Sequence, residues 1–165
     1  MKRRINKKII LGVVLLSVIV FGSLAYSHCQ IPCGIYDDEA RFGMIAEHIT
    51  TIEKSMKQVE ALSAEDKPNM NQIVRWVNNK DAHADELSHI VSYYFLAQRI
   101  KPTTKDNTKE YNEYIKNLTL LHEMLVYTMK TKQTTDLETV EKLRSLLNQF
   151  HELYSGKTAE AEHKH

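Results

Sequence analysis

Apolar residues recur at alternating spacings of three and four along four stretches of the chain, which places them on one face of an α-helix in each stretch. Lys80 interrupts the second of these seams. Four amphipathic helices joined by short loops predict an all-α protein, an antiparallel four-helix bundle. The seams are Phe42, Ile45, Ile49, Ile52, Met56 and Val59; Met70, Ile73, Val77, Ala84, Leu87, Val91 and Tyr94; Tyr111, Tyr114, Leu118, Leu121 and Leu125; and Leu137, Val140, Leu143, Leu147, Phe150 and Tyr154.

Turn and capping residues separate the four stretches at residues 66–69, 101–108 and 134–136. Gly156 is expected to end the fourth helix, so the bundle is predicted to span residues 38–156. The polar tail, residues 157–165, is expected to be disordered. The sequence has only 5 glycines and 3 prolines with 26% charged residues, which agrees with a helical protein. The methionines of the helices are assigned to packing: Met44, Met56, Met70, Met124 and Met129.

The first 27 residues have the pattern of a secretory signal peptide. A basic run is followed by an apolar run over residues 9–21, and small residues, Ala25 and Ser27, stand at positions −3 and −1 of a cleavage site. We therefore predict cleavage between Ser27 and His28 and a periplasmic or extracellular protein. The alternative is an uncleaved membrane anchor, although its apolar stretch is shorter than the roughly 20 residues of a spanning helix.

The net charge of the chain changes when the predicted signal peptide is left out of the count. The whole chain holds 22 basic and 21 acidic residues, and five of the bases but no acid lie in residues 1–27. The remaining 138 residues therefore carry 17 bases against 21 acids, a net charge of −4. An acidic body gives no reason to expect nucleic acid as a partner. Contact with a membrane is expected only through the uncleaved N-terminal segment.

Residues 28–37 belong neither to the leader nor to the bundle. They contain both cysteines of the chain, Cys29 and Cys33, and two residues that bend the backbone, Pro32 and Gly34. Cleavage before His28 exposes an α-amine and an imidazole beside the Cys29 amide and two thiolates. Two nitrogens and two sulfurs in a plane, with the imidazole as a cap, favour nickel or copper over zinc. Such strongly electron-donating ligands stabilise a trivalent metal and bring a Ni(III)/Ni(II) couple within reach.

A Cys29–Cys33 disulfide is the alternative interpretation of the same residues. Paired cysteines in an exported protein usually form a bridge, and spacing alone favours one here. A bridge this short constrains little of the unfolded chain and leaves His28 and the cleavage position unexplained. With the disulfide, the protein would be an exported or membrane-anchored helical interaction module without catalysis.

The segment resembles the nickel hook of the nickel superoxide dismutases, in which His-Cys-x-x-Pro-Cys-Gly-x-Tyr is the shared pattern. Here that pattern is His28-Cys29-Gln30-Ile31-Pro32-Cys33-Gly34-Ile35-Tyr36. The resemblance implies a superoxide dismutase with one nickel ion per subunit, built as a four-helix bundle and assembled as a homohexamer.

The resemblance also implies a role for each residue of the hook. His28 would bind nickel through its amine and, in the oxidised state, its imidazole; Cys29 through its amide and thiolate; and Cys33 through its thiolate. Tyr36 would stand over the open face as the catalytic residue, and Pro32 would shape the turn. Gln30 departs from the aspartate that is common in the family, at a position that donates no ligand. The partners of the axial imidazole are open: Glu39 or Glu47 on the first helix, and His83 or Arg75 on the second.

A di-iron site is a further alternative, because Glu86 and His89 form a Glu-x-x-His pair on a bundle helix. The other copy, Glu160 and His163, lies in the tail, so that four-helix site cannot be completed. His89 is therefore assigned to the surface or to an interface, and the same plain role is expected for His48, His122 and His151.

Overall fold

A computed structural model describes residues 34–162, and for residues 157–162 it describes the backbone alone. The chain divides into two units, residues 1–36 and residues 37–165. The predicted signal peptide and the hook residues His28, Cys29 and Cys33 lie outside the described residues. Among the described residues, no helix is long and apolar enough to be a membrane span.

The second unit consists of four helices, and no strand occurs among its described residues. The prediction of an all-α bundle is confirmed. The helices are α1 (Asp38–Ser63), α2 (Met70–His89), α3 (Thr108–Gln133) and α4 (Leu137–Glu162); α2 continues directly into a π-helical segment, Ile90–Arg99.

Each helix packs against its two neighbours in the ring α1–α2–α3–α4. Cross-contacts join early residues of one helix to late residues of the next, as between Glu39 and His151 or between Glu123 and Lys142. Neighbouring helices therefore run antiparallel. The apolar seams of α1 and α4 and the second half of the α2 seam form one core together with Leu121 and Met124 of α3. Each Å² of apolar surface buried in this core stabilises the fold by about 25 cal/mol.

Side chains cap the helix starts in the predicted loops. The carboxylate of Asp37 accepts a hydrogen bond from the Ala40 amide at 2.9 Å, and Asn69 and Asn107 accept equivalent bonds from Gln72 and Glu110. Each cap satisfies an amide that has no partner within its helix.

The structure corrects three sequence expectations about the helices. The buried line of α3 is partly polar and shares only Leu121 with the predicted seam: Asn117, Leu121, Met124, Thr128 and Thr131. Leu118 and Leu125 are only partly buried. The threonines can be buried because their hydroxyls donate to the carbonyls of Met124 and Thr128.

The second correction concerns Gly156, which does not end α4, since the helix continues to Glu162. Among the described glycines, only Gly34 has a positive φ. Gly156 therefore does not adopt the left-handed conformation with which many helices end. A glycine inside a helix lowers stability by only about 1 kcal/mol relative to alanine. Good helix formers follow Gly156, so the helix can continue.

The third correction concerns the methionines. Met56 and Met124 are buried as expected, but Met44, Met70 and Met129 are exposed. Met70 is the first residue of α2 and is 63% exposed.

Candidate metal centre

The hook is predicted over residues 28–37, and its described part is residues 34–37. Gly34 lies in a turn with φ +74°, a left-handed conformation that glycine adopts without the steric cost of a Cβ atom. This conformation fits the bend expected there. Ile35 is 80% exposed, and Tyr36 is 40% exposed. The side chain of Tyr36, the expected catalytic residue, is therefore accessible in part.

The first residue of α1 is the centre of a hydrogen-bonded cluster in the bundle. Asp38 Oδ1 accepts from the Tyr94 hydroxyl at 2.6 Å and from Arg99 Nε at 2.9 Å. Asp38 Oδ2 accepts from Arg99 Nη2 at 2.6 Å and from the Tyr154 hydroxyl at 2.8 Å. We call these four residues the Asp38 clamp. It joins the start of α1 to the π-helical segment and to α4.

The clamp holds its residues in defined protonation states. Burial by itself raises the pKa of Asp38, but the hydrogen bonds from Arg99, Tyr94 and Tyr154 outweigh it, and the pKa is lowered. Burial, reinforced by the hydrogen bond to Asp38, raises the pKa of Tyr154 to about 12. Asp38 is therefore an anion at neutral pH, and the Tyr154 hydroxyl remains a donor.

Aromatic rings pack in the core beside the clamp. The rings of Phe42, Phe95 and Phe150 lie with centroids 5.0–5.4 Å apart, and the Tyr154 ring lies 5.8 Å from that of Phe95. Tyr94 and Tyr154 therefore have their rings in the core and their hydroxyls on Asp38.

Two of the histidines expected to have a plain surface or interface role, His48 and His151, lie at contacts between helices. Nδ1 of His48 on α1 lies 2.8 Å from Nδ1 of His83 on α2, so one ring donates and the other accepts. Burial and the neighbouring His83 lower the pKa of His48. His151 on α4 is hydrogen-bonded to Glu39 at 2.9 Å. Among the open partners of the axial imidazole, Glu39 and His83 thus have contacts within the bundle.

The di-iron alternative finds no support in the bundle. Glu86 and His89 are exposed, and the His89 ring stacks on Tyr93 with centroids 4.4 Å apart. Among the side chains that the structure describes, no three His, Cys, Asp or Glu residues come together to hold a metal ion. The surface assignment of His89 agrees with this arrangement.

Sequence reasoning missed Arg99 and the whole clamp. Tyr94 belongs to the predicted apolar seam, and its ring is indeed buried, but the seam does not predict a role for its hydroxyl. One signal was present: Tyr94 and Arg99 stand five residues apart, directly before the break that residues 101–104 predict.

An all-helical bundle preceded by a cysteine-containing segment is the architecture expected of a hook-bearing metalloenzyme. A family model described as nickel-containing superoxide dismutase matches residues 23–158, which is most of the chain. No curated protein and no solved structure matches it significantly. The chain belongs to the nickel-containing superoxide dismutase family. It is therefore an enzyme with superoxide as its substrate and nickel as its cofactor.

Proposed function

We propose that the mature protein disproportionates superoxide at a nickel centre held by His28, Cys29 and Cys33. The observation that carries the proposal is the nine-residue hook pattern, which lies within the family match and directly after a predicted cleavage site. Two superoxide ions and two protons give one dioxygen and one hydrogen peroxide. One superoxide is oxidised, and the other is reduced and protonated.

The donor set fits nickel. The α-amine of His28 and the Cys29 amide would supply two nitrogens, and Cys29 and Cys33 would supply two thiolates, a mixed nitrogen–sulfur set that suits nickel better than zinc. Nickel, when bound, supplies a one-electron Ni(III)/Ni(II) couple. The imidazole of His28 would be a further nitrogen ligand to nickel.

Other residues of the segment prepare the site. The positive φ of Gly34 turns the chain directly after Cys33. We propose that Tyr36, whose side chain is partly exposed, stands over the open face, restricts access to small molecules and offers its hydroxyl as a hydrogen-bond donor. Residues 1–27 would be a signal peptide that is removed between Ser27 and His28, so that one cut serves both export and the release of the α-amine.

The experiment compares metals in the 138-residue form that begins at His28. Nickel-loaded protein should remove superoxide, and zinc-loaded protein should not, since zinc has no accessible redox couple. Equal activity with the two metals would contradict a redox role for the metal. Metal-free protein with no titratable thiol would instead support the interaction module with a Cys29–Cys33 bridge.

We also propose a homohexamer, for which family membership is the support. Light scattering of the nickel-loaded protein after size exclusion measures the mass directly. A mass of one or two subunits would contradict this assembly without affecting the proposal for the metal site.

A further inference from the structure

The bond pattern of the Asp38 clamp is unusually complete for the first residue of a helix. Both carboxylate oxygens accept two hydrogen bonds each, and Arg99 contributes one donor to each oxygen. Such a two-point pair restricts orientation as well as distance. The start of α1 is thereby fixed against two separate elements, the π-helical segment and α4.

The π-helical register makes this geometry possible. In an α-helix, residues five apart point about 140° away from each other around the axis. In a π-helix the hydrogen bonds run between residues five apart, so those residues lie about one turn from each other on the same side. Tyr94 and Arg99 are five apart and both reach Asp38 Oδ1. The segment ends with the Ile100 amide bonded to the Phe95 carbonyl at 2.9 Å, the same five-residue step.

Formation of α1 does not depend on the clamp. Asp37 already caps the helix, and the buried seam from Phe42 to Met56 holds it in the core. Asp38 and Arg99 are only 17% and 23% exposed, and for a pair this buried the cost of desolvating both charges offsets much of their attraction, so the net gain in stability is small. The four bonds on Asp38 therefore do more to define the position of the first turn than to stabilise the bundle.

The segment that the clamp fixes leads directly into the hook. Cys33 stands five residues before Asp38, so an extended chain can place their Cα atoms at most about 18 Å apart. Tyr36, the expected catalytic residue of the hook, is two residues before Asp38. The clamp therefore fixes the bundle end of a short covalent link to the hook.

We propose that Asp38 and Arg99 are positioning residues for the nickel hook, and that the π-helical register of residues 90–99 serves to bring Tyr94 and Arg99 onto Asp38 together. The inference rests on the proposed nickel site at His28, Cys29 and Cys33. The metal ligands are contiguous in the chain, so a loosened clamp leaves chelation intact. It widens the range of positions that the hook occupies.

The test compares clamp variants with a matched control in the nickel-loaded mature protein. Asp38→Asn and Arg99→Lys break the two-point pair at the start of α1. Glu53→Gln removes the anion that Arg144 contacts at 2.8 Å, another partly exposed pair between α1 and α4 but away from the first turn. Three quantities are measured in each: bound nickel, the electron paramagnetic resonance spectrum of Ni(III), and turnover.

The clamp variants should keep one nickel per subunit while their Ni(III) spectrum broadens or changes its axial-nitrogen splitting. Turnover should fall about 10- to 100-fold, as expected when a reacting centre is misplaced by about 1 Å. Glu53→Gln should match the parent in all three measurements. Arg99→Lys keeps the charge, so its effect separates orientation from electrostatics.

Two different results would count against the two proposals separately. A parent protein that shows no nickel-dependent Ni(III) signal contradicts the proposed nickel site itself. A parent that shows the signal, with clamp variants that share its spectrum and turnover, contradicts the positioning role alone. Tyr94→Phe provides a second variant, because it keeps the buried ring but removes the hydroxyl that donates to Asp38. It should change the Ni(III) spectrum in the same direction as Arg99→Lys, and an unchanged spectrum would overturn the role of the register in bringing both residues onto Asp38.

Discussion

The two ends of the bundle are held together by opposite chemistry. At the end where α1 begins, a carboxylate, Asp38, accepts four hydrogen bonds from three side chains. Towards the other end a cation is buried: Lys80 is 3% exposed, and its ammonium contacts the Thr131 carbonyl and the Asp81 carboxylate. Thr131 lies in the last turn of α3, where carbonyls lack helical partners and a positive charge is favoured.

The difference indicates what each end contributes. The Lys80 contact satisfies a buried carbonyl, so its loss costs stability wherever the hook is placed. The clamp is partly solvated and orients the residue from which the hook leads, so its loss should alter the metal site more than the stability. Variants at the two ends should therefore separate nickel chemistry from folding.

The largest effect is expected from the hook itself. Replacing either Cys29 or Cys33 by serine should abolish dismutase activity, because a neutral hydroxyl is not a soft, anionic ligand. Helical circular dichroism and the unfolding midpoint should stay at the parent values, since neither residue belongs to an apolar seam. A loss of helix content in these variants would support a structural Cys29–Cys33 disulfide.

Lys80→Met should destabilise the bundle more than a substitution at Asp38 or Asp85 does. It retains most of the side-chain volume but leaves the Thr131 carbonyl without its buried donor, at a cost of about 1–3 kcal/mol. Urea unfolding measures the change, and the Ni(III) spectrum of the folded fraction should equal that of the parent. An altered spectrum at unchanged stability would reverse the roles assigned to the two ends.

Asp38→Asn should cost less at neutral pH, because the amide keeps the side-chain volume and one accepting oxygen and because desolvation already offsets much of the attraction in the ion pair. It should also change how stability responds to acid. The folded-state pKa of Asp38 is lowered, so its contribution is fully present above the ordinary value of 3.8 and is lost as pH falls through the folded pKa. The parent should therefore lose more stability than the variant between neutral pH and about pH 3. If the unfolding midpoints of the parent and the variant change in parallel with pH, the Asp38 carboxylate makes no pH-dependent contribution to stability.

How much of this could be read from the sequence depends on the kind of interaction. The four helices were predictable because the seams of α1 and α4 are uninterrupted, and the hook because its nine residues are contiguous. The clamp could not be predicted, because its residues come from three elements: Asp38, Tyr94, Arg99 and Tyr154. In addition, a π-helical register has no apolar period by which a sequence would show it. The buried line of α3 was displaced because Asn117, Thr128 and Thr131 are polar.

The smallest effect is expected from Asp85→Asn. Its partner Lys132 lies 2.7 Å away, but Asp85 is 68% exposed, and solvent screens such a pair to about 0.5 kcal/mol or less. Both the unfolding midpoint and nickel chemistry should remain within error of the parent. A loss as large as that of Lys80→Met would mean that surface pairs, and not the buried cation, hold that end together.

The central claim, that the hook binds nickel through the free amine of His28, is tested most directly by the position of cleavage. The 138-residue form that begins at His28 is compared with the same chain preceded by one serine. In the longer form the nitrogen of His28 is a peptide amide, not an amine with a pKa of about 8 that can release its proton to a metal. We expect one nickel per subunit and dismutation only in the shorter form, with equal helix content in both. Full activity in the longer form would contradict the claim.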